Sequence, residues 1–365
     1  MAACLAAGSL LLSGIAPAGA AVAVTPDATP RVNGTVWAVA QVGNRTIIGG
    51  DFTTVGGVAR QNIAALTADG KLDQTFNPGA DGIVYALAGS ADGTRVFAGG
   101  VFLNAGGQAR ARLAALDATT GAAVPTWTAN TDGDVLGLAT AGDRLYVAGR
   151  FLTIKDANRR RLAAVDASTG AVQLGFNPWP NWTVKAVAVS PDTTKVYAVG
   201  GFTAIGGATR NQGAAELLAS NGSATAFAPT KGGTVLAMAL SPDGSRLYYS
   251  TPDNQVFAYA PALSNAPIWI GKGGGDTQAI AASSTEVYVG GHFSQLWSTG
   301  TKLKRERIGS FGASTGAVTA WNPGADGFMG VWAMGITPTH LLVGGDFSNI
   351  GGAPQRGFAR FAGTP

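Results

Sequence analysis

The sequence predicts an all-β fold: a seven-bladed β-propeller of four-stranded antiparallel blades. Three observations lead there. A short apolar segment recurs seven times, 42 to 54 residues apart. A second segment, opening on a charged residue and mostly rich in glycine, follows each copy. The last copy stops one strand short, and a matching strand stands at the other end of the chain. Self-similarity at this period marks arrays and propellers.

The first segment is strand a: Val36-Trp37-Ala38-Val39-Ala40, Val84 to Ala88, Val135 to Ala139, Val184 to Ala188, Val235 to Ala239, Thr277 to Ala281 and Val331 to Gly335. Its third and fifth positions are always Ala or Gly. Near-continuous apolar character implies burial on both faces, and obligatory small residues imply crowding, as where wedge-shaped blades converge on an axis. Strand b runs Arg45 to Phe52, Arg95 to Phe102, Arg144 to Phe151, Lys195 to Phe202, Arg246 to Asp253, Glu286 to Phe293 and His340 to Phe347. Turn sequences such as Ala91-Asp92-Gly93 precede it. Strand c includes Ile63 to Leu66 and Phe358 to Phe361, and strand d ends on Phe76, Trp127, Phe176, Phe227, Trp269 or Trp321. Val24 to Pro30 aligns with Leu72 to Pro78, so the N-terminal strand is expected to complete the last blade and close the ring. Pro26 is tolerable there because an outermost strand is an edge.

Composition agrees. The chain has 365 residues, of which 13% are charged and 54 are Gly; a globular average is about 25% charged and about 7% Gly. The net charge of +4 is carried by scattered Lys and Arg, without the basic stripe a nucleic-acid surface needs. Residues 1–20 read as a signal peptide truncated at its start: an apolar run from Leu5 to Ile15, then Ala18-Gly19-Ala20 as the small-x-small cleavage pattern. The run is too short to span a bilayer. Residues 21–365 then form one propeller domain, exported, extracellular or at the cell surface, and monomeric. The single cysteine, Cys4, falls in the signal, so no disulfide is expected. The Asn-x-Ser/Thr triplets at Asn33, Asn44, Asn181 and Asn221 read as turn sequences.

Gly49 to Arg60, with the pattern Gly-Gly-x-Phe-x-x-x-Gly-Gly-x-x-Arg, is near-repeated at Gly99 to Arg110. Together with Phe76-Asn77-Pro78 and Asp81-Gly82 this unit resembles the bacterial delta-60 repeat propellers. That resemblance implies an exported propeller and carries no catalytic residues, since most of those proteins have no assigned function. A looser likeness to fungal cortical polarity-marker propellers would imply interaction at a cell surface. Ala115 to Gly121 followed by Trp127, and Ala164 to Gly170, are similar to the docking repeat of quinone-dependent dehydrogenase propellers. The simpler account is a c–d hairpin whose Asp caps the turn.

Chain direction puts the b–c and d–a loops on one rim, here called upper. The recurring loop arginines, Arg60, Arg110, Arg210 and Arg356, are read as structural, pairing with a neighbouring Asp or with loop carbonyls. Asp132 and Asp134 are the local candidates for Ca²⁺, which favours oxygen ligands; no other cofactor is expected. Blade five lacks the Gly-Gly loop, while blade six carries the longest and most basic one. That asymmetry suggests a notch bearing His292, Trp297, Lys302, Lys304, Arg305 and Arg307, suited to an anionic glycan or an acidic protein segment. Only His292 and His340 occur, on opposite rims, so no His pair can hold a metal. The sequence thus favours a non-catalytic binding scaffold whose partner is a cell-surface glycan or a protein. The alternative is an enzyme, a lyase or hydrolase, working on the upper face through His292 or in the central channel.

Overall fold

The computed structural model describes residues 21–210 and 213–365; the signal peptide read at 1–20, with Cys4, lies outside them. Among the described residues every regular element is a β-strand. No helix there is long and apolar enough to cross a membrane. Seven sheets share one plan, in which strand a pairs antiparallel with b, and b with c. In repeat one these are Thr35–Val42, Arg45–Asp51 and Ile63–Leu66. In repeat seven they are Val331–Ile336, His340–Gly345 and Phe358–Ala362. Each strand a neighbours that of the next repeat, and the strand a of repeat seven neighbours that of repeat one.

Small residues make this convergence sterically feasible. A Cβ on Gly49 would sit 2.6 Å from Val84 Cγ1, one on Gly99 2.4 Å from Val135 Cγ1, and one on Gly344 2.6 Å from Val36 Cγ1. Strand b therefore presents bare backbone to the first valine of the next strand a. The core lies between consecutive sheets: Ile47, Ile63 and Phe76 of repeat one pack with Val84, Val96 and Phe102 of repeat two. Polar stitches reinforce it. The arginine opening strand b donates to a turn carbonyl of the next repeat, from Arg45 to Ala118, Arg95 to Ala167, Arg144 to Ala219 and Arg246 to Ala313. The Trp127 and Trp269 indoles donate to Asp166 and Ala313 carbonyls in the same way.

The expected strand d is present as a full strand only in repeat five, Trp269–Gly273. In repeats one to four and six it contracts to a single bridge, such as Leu66↔Leu72 or Leu116↔Ala123. In repeats one, three, four and six Phe76, Phe176, Phe227 and Trp321 are each followed two residues on by Pro, which has no N–H to extend the ladder; repeat two contracts without it, since Trp127 is followed by Thr-Ala. Trp269-Ile-Gly-Lys-Gly has no proline and continues. In repeat seven the N-terminal segment takes the outer position, with Ala23 N–H donating to Ala362 O at 2.8 Å and Asp27 N–H to Arg360 O at 2.9 Å.

Candidate functional site

The register of strand a creates the site. Its partner slips between the first and third residues of the pentapeptide in six repeats, between Val36 and Ala38 in repeat one and between Val331 and Ala333 in repeat seven, for example. The second residue is left as the extra residue of a β-bulge, which re-aims its side chain. Those residues are Trp37, Tyr85, Leu136, Lys185, Gln278 and Trp332. With Leu236 of repeat five they line one cavity of about 450 Å³ together with Arg150 and Asp276. Every repeat contributes one residue at equivalent register. The residues lie at the start of strand a, hence at the upper end.

The lining is two-sided. Repeats seven, one and two supply an aromatic wall: the Trp37 and Trp332 centroids are 4.3 Å apart at 44°, and Tyr85 meets Trp37 edge-on at 5.8 Å. Repeats three, four and six supply the polar side. Burial pushes the Lys185 ammonium pKa below its usual range; Arg150 adds to the shift and Asp276 opposes it. Arg150 pairs with Asp134 at 3.3 Å, with its side chain 61% exposed. Among the described residues Lys185 forms no ion pair. Trp37 Nε1 and Gln278 Oε1 are shielded and have no hydrogen-bond partner.

Sequence reasoning missed this site. Strand a was read by what recurs, and the lining position is the one that varies, through Trp, Tyr, Leu, Lys, Leu, Gln and Trp. That variability at fixed register was the available signal.

The basic loop of repeat six is placed differently from expectation. Its hairpin, Gln295–Trp297 and Leu303–Lys304, adds to the open edge of Trp269–Gly273, pairing Lys272 with Trp297 and Gly273 with Leu296. The enlarged loop thus covers the place where a notch was expected, as an edge strand without proline invites. Lys302 Nζ lies 4.6 Å above the Trp297 ring. Lys304 and Arg307 lie 3.4 and 3.6 Å from Glu306. Arg305 is buried, donating to Lys304 O at 2.7 Å and Thr319 O at 2.6 Å. Arg60, Arg110 and Arg210 make the same type of contact, to Asp73, Val124 and Thr225 carbonyls. Recurring loop arginines therefore serve loop carbonyls. In repeat seven the buried position falls to Gln355, hydrogen-bonded to Thr29, while Arg356 is exposed. The Arg356 assignment shifts by one residue because the loop reads Gly-Gly-Ala-Pro-Gln.

His292 follows strand b of repeat six, and its Nδ1 is buried without a hydrogen-bond partner. His340 opens strand b of repeat seven at the opposite end, with Nε2 3.1 Å from Asp27. Asp132 Oδ1 accepts the Leu152 and Thr153 N–H groups at 2.8 and 2.9 Å. Burial opposes its ionisation, but those N–H donors outweigh burial and hold its pKa below the usual carboxylate range. Asp81 and Asp326 cap their loops identically, and the neutral amides of Asn33 and Asn181 do the same work. Among the described residues no group of three or more His, Cys, Asp or Glu gathers. Asp117 and Asp166 cap turns, each accepting two main-chain N–H groups, as the hairpin reading requires.

A second aromatic and basic area lies on the upper face between repeats three and four. Trp179 and Trp182 are 42% and 62% exposed, with the Arg160 and Arg161 guanidinium carbons 4.7 and 6.0 Å from their rings.

A family model described as a domain of unknown function (DUF5122) beta-propeller matches residues 44–76. No curated protein matches the chain. Among solved structures, that of U3-55K is similar with a TM-score of 0.62 at 14% identity, over 92% of this chain and 99% of that one. The WD40 beta propeller domain of Doa1 gives 0.63 at 12% identity, over 92% and 96%. The RRP9 WD40 repeats give 0.63 at 14%, over 94% and 100%. These likenesses show a β-propeller fold.

Proposed function

We propose that residues 21–365 form one seven-bladed propeller, each blade completed by an outer fourth segment and the ring closed by the N-terminal segment. We read it as an exported, monomeric, non-catalytic binding scaffold at the cell surface, taking an anionic glycan on its upper face. One observation carries this reading: seven repeats converge on a cavity with an aromatic wall facing Lys185 and Arg150. A site assembled from all repeats is held rigidly, as a binding site requires. Its lining joins apolar ring faces to a few polar groups, the usual make-up of small-ligand sites.

The test is retention of the protein on isolated cell-wall and extracellular polysaccharides. Two variants run alongside, Trp332→Ala and the pair Lys302→Ser/Lys304→Ser. Retention abolished by the first and kept by the second supports the axial site. Retention lost only in the second moves the site to repeat six. No retention of the natural protein sinks the glycan reading and turns the search to protein partners.

A further inference from the structure

Resting on that reading, we propose that the axial cavity takes the terminal carboxylated sugar, a hexuronic acid residue, of an acidic polysaccharide. One ring face lies on Trp37 and Trp332, and the carboxylate points to Lys185. The cavity volume of about 450 Å³ falls within the roughly 300–1,000 Å³ of small-ligand sites, so it suits the end of a chain and excludes a folded partner. A pyranose has an apolar face of C–H groups and a rim of hydroxyls. The two tilted indoles and the edge-on Tyr85 offer the matching apolar surface.

Charge decides the kind of sugar. Lys185 and Arg150 stand against one lining carboxylate, Asp276. Of these two cations Lys185 is the one without an ion-pair partner among the described residues, and its partial burial strengthens a bond to a carboxylate. Lys185 and Arg150 come from repeats four and three and the two indoles from repeats one and seven, so an acidic sugar is turned with its carboxylate away from the aromatic wall. The same three aromatics could cage a quaternary ammonium group, but two cations in the lining oppose it. Beyond the mouth, Trp182 with Arg161 offers a platform and a cation for a following acidic unit.

The experiment is calorimetric and fluorescence titration of the protein with galacturonate, glucuronate and mannuronate monomers and tetramers. Carboxyl-reduced tetramers of the same sugars and choline serve as comparisons. The expected result is that one acidic series binds at least about tenfold more tightly than its reduced form, the worth of one charge-assisted hydrogen bond. Lys185→Met abolishes that ratio and Lys185→Arg keeps it. Trp332→Ala weakens acidic and neutral sugars together, and Trp182→Ala weakens the tetramer but leaves the monomer unchanged. Equal binding of acidic and reduced sugars, both dependent on Trp332, overturns the carboxylate inference and leaves the glycan site standing. Choline binding more tightly than any sugar overturns the inference in favour of an ammonium ligand. If polysaccharide retention is also absent and no sugar binds, the glycan reading itself fails.

Discussion

Deleting residues 21–29 should open the ring and remove a large fraction of the protein's stability. The segment donates two main-chain hydrogen bonds, from Ala23 to Ala362 O and Asp27 to Arg360 O. It accepts a third at Ala23 O from the Trp321 indole, at 2.9 Å. Asp27 Oδ2 also lies 2.9 Å from Arg360 Nε, whose side chain is 12% exposed. Three neutral bonds at about 1 kcal/mol each and one part-exposed ion pair at about 1 kcal/mol or less give a loss near 4 kcal/mol. Val22, 8% exposed and packed with Phe361 and Trp321, adds to that. Against a typical total of about 5–15 kcal/mol, the loss is severe. In urea, with a slope of about 2.5 kcal/mol/M, the unfolding midpoint should fall by about 1.5 M. A synthetic peptide of residues 21–31 added in trans should restore part of the shift by mass action. A midpoint unchanged by the deletion would refute closure by this segment.

Crowding at the strand b glycines predicts that Gly99→Ala costs about 1–3 kcal/mol by overpacking, because its Cβ would meet Val135 Cγ1 at 2.4 Å. Gly107 has a φ of +76° with nothing within 4 Å, so Gly107→Asn, a residue that tolerates this conformation, should cost less than about 1 kcal/mol; urea unfolding of both variants compares them. Arg305→Met should destabilise by about 2 kcal/mol through two abandoned carbonyls and leave polysaccharide retention intact; loss of retention without loss of stability would return this side chain to the binding surface. Asp92 is held down at about 2, first by the Ser90 hydroxyl and then by the Thr94 N–H. Its pKa is depressed by folding, so its contribution is present above 3.8 and is lost as pH falls through about 2. In Ser90→Ala, an NMR titration should find the Asp92 carboxyl shifted back toward 3.8.

What the sequence made legible is what lateral packing constrains. Gly49, Gly99, Gly290 and Gly344 recur because each leaves bare backbone where the first valine of the next strand a packs; repeats three to five carry Ala148, Val199 and Ser250 at that register. Asp81 and Asp132 stood out by recurrence, Asp132 as a Ca²⁺ candidate, but their work as caps did not, because the loop N–H groups they accept from have no sequence signature. The outer strand was overread: in four repeats the aromatic-x-Pro ending that flagged it also withholds a ladder donor. The basic loop of repeat six drew attention as a departure, but its hairpin follows the repeat's own plan. Arg305 sits where Arg60 sits, and Arg307, with a φ of +65°, where Asn62 has +62°. The axial residues stayed hidden because a bulge is a matter of register, and no residue type marks it.

Burial of Lys185 implies a stability cost at the site, and that cost is measurable. Its side chain projects into a narrow cavity, and burial is the main reason its pKa is lowered from the ordinary 10.5. For a base whose pKa folding depresses, the unfolded chain binds the proton more tightly. The penalty is therefore full below the folded pKa, and it fades as pH rises from there toward 10.5. Lys185→Met removes the penalty. The variant should melt at a higher temperature than the natural protein at pH 7, and the gap should shrink to a constant as pH approaches 10.5. Scanning calorimetry on both proteins from pH 7 to 10.5 reads this directly, since every other titration cancels in the difference. A gap independent of pH would mean that Lys185 is solvated as freely as a surface lysine, and that a carboxylate meeting it would gain little. A gap that closes would mean the fold tolerates a strained cation at its axis, where lateral packing sets no demand on the residue. A local cost of this kind is what functional sites commonly carry.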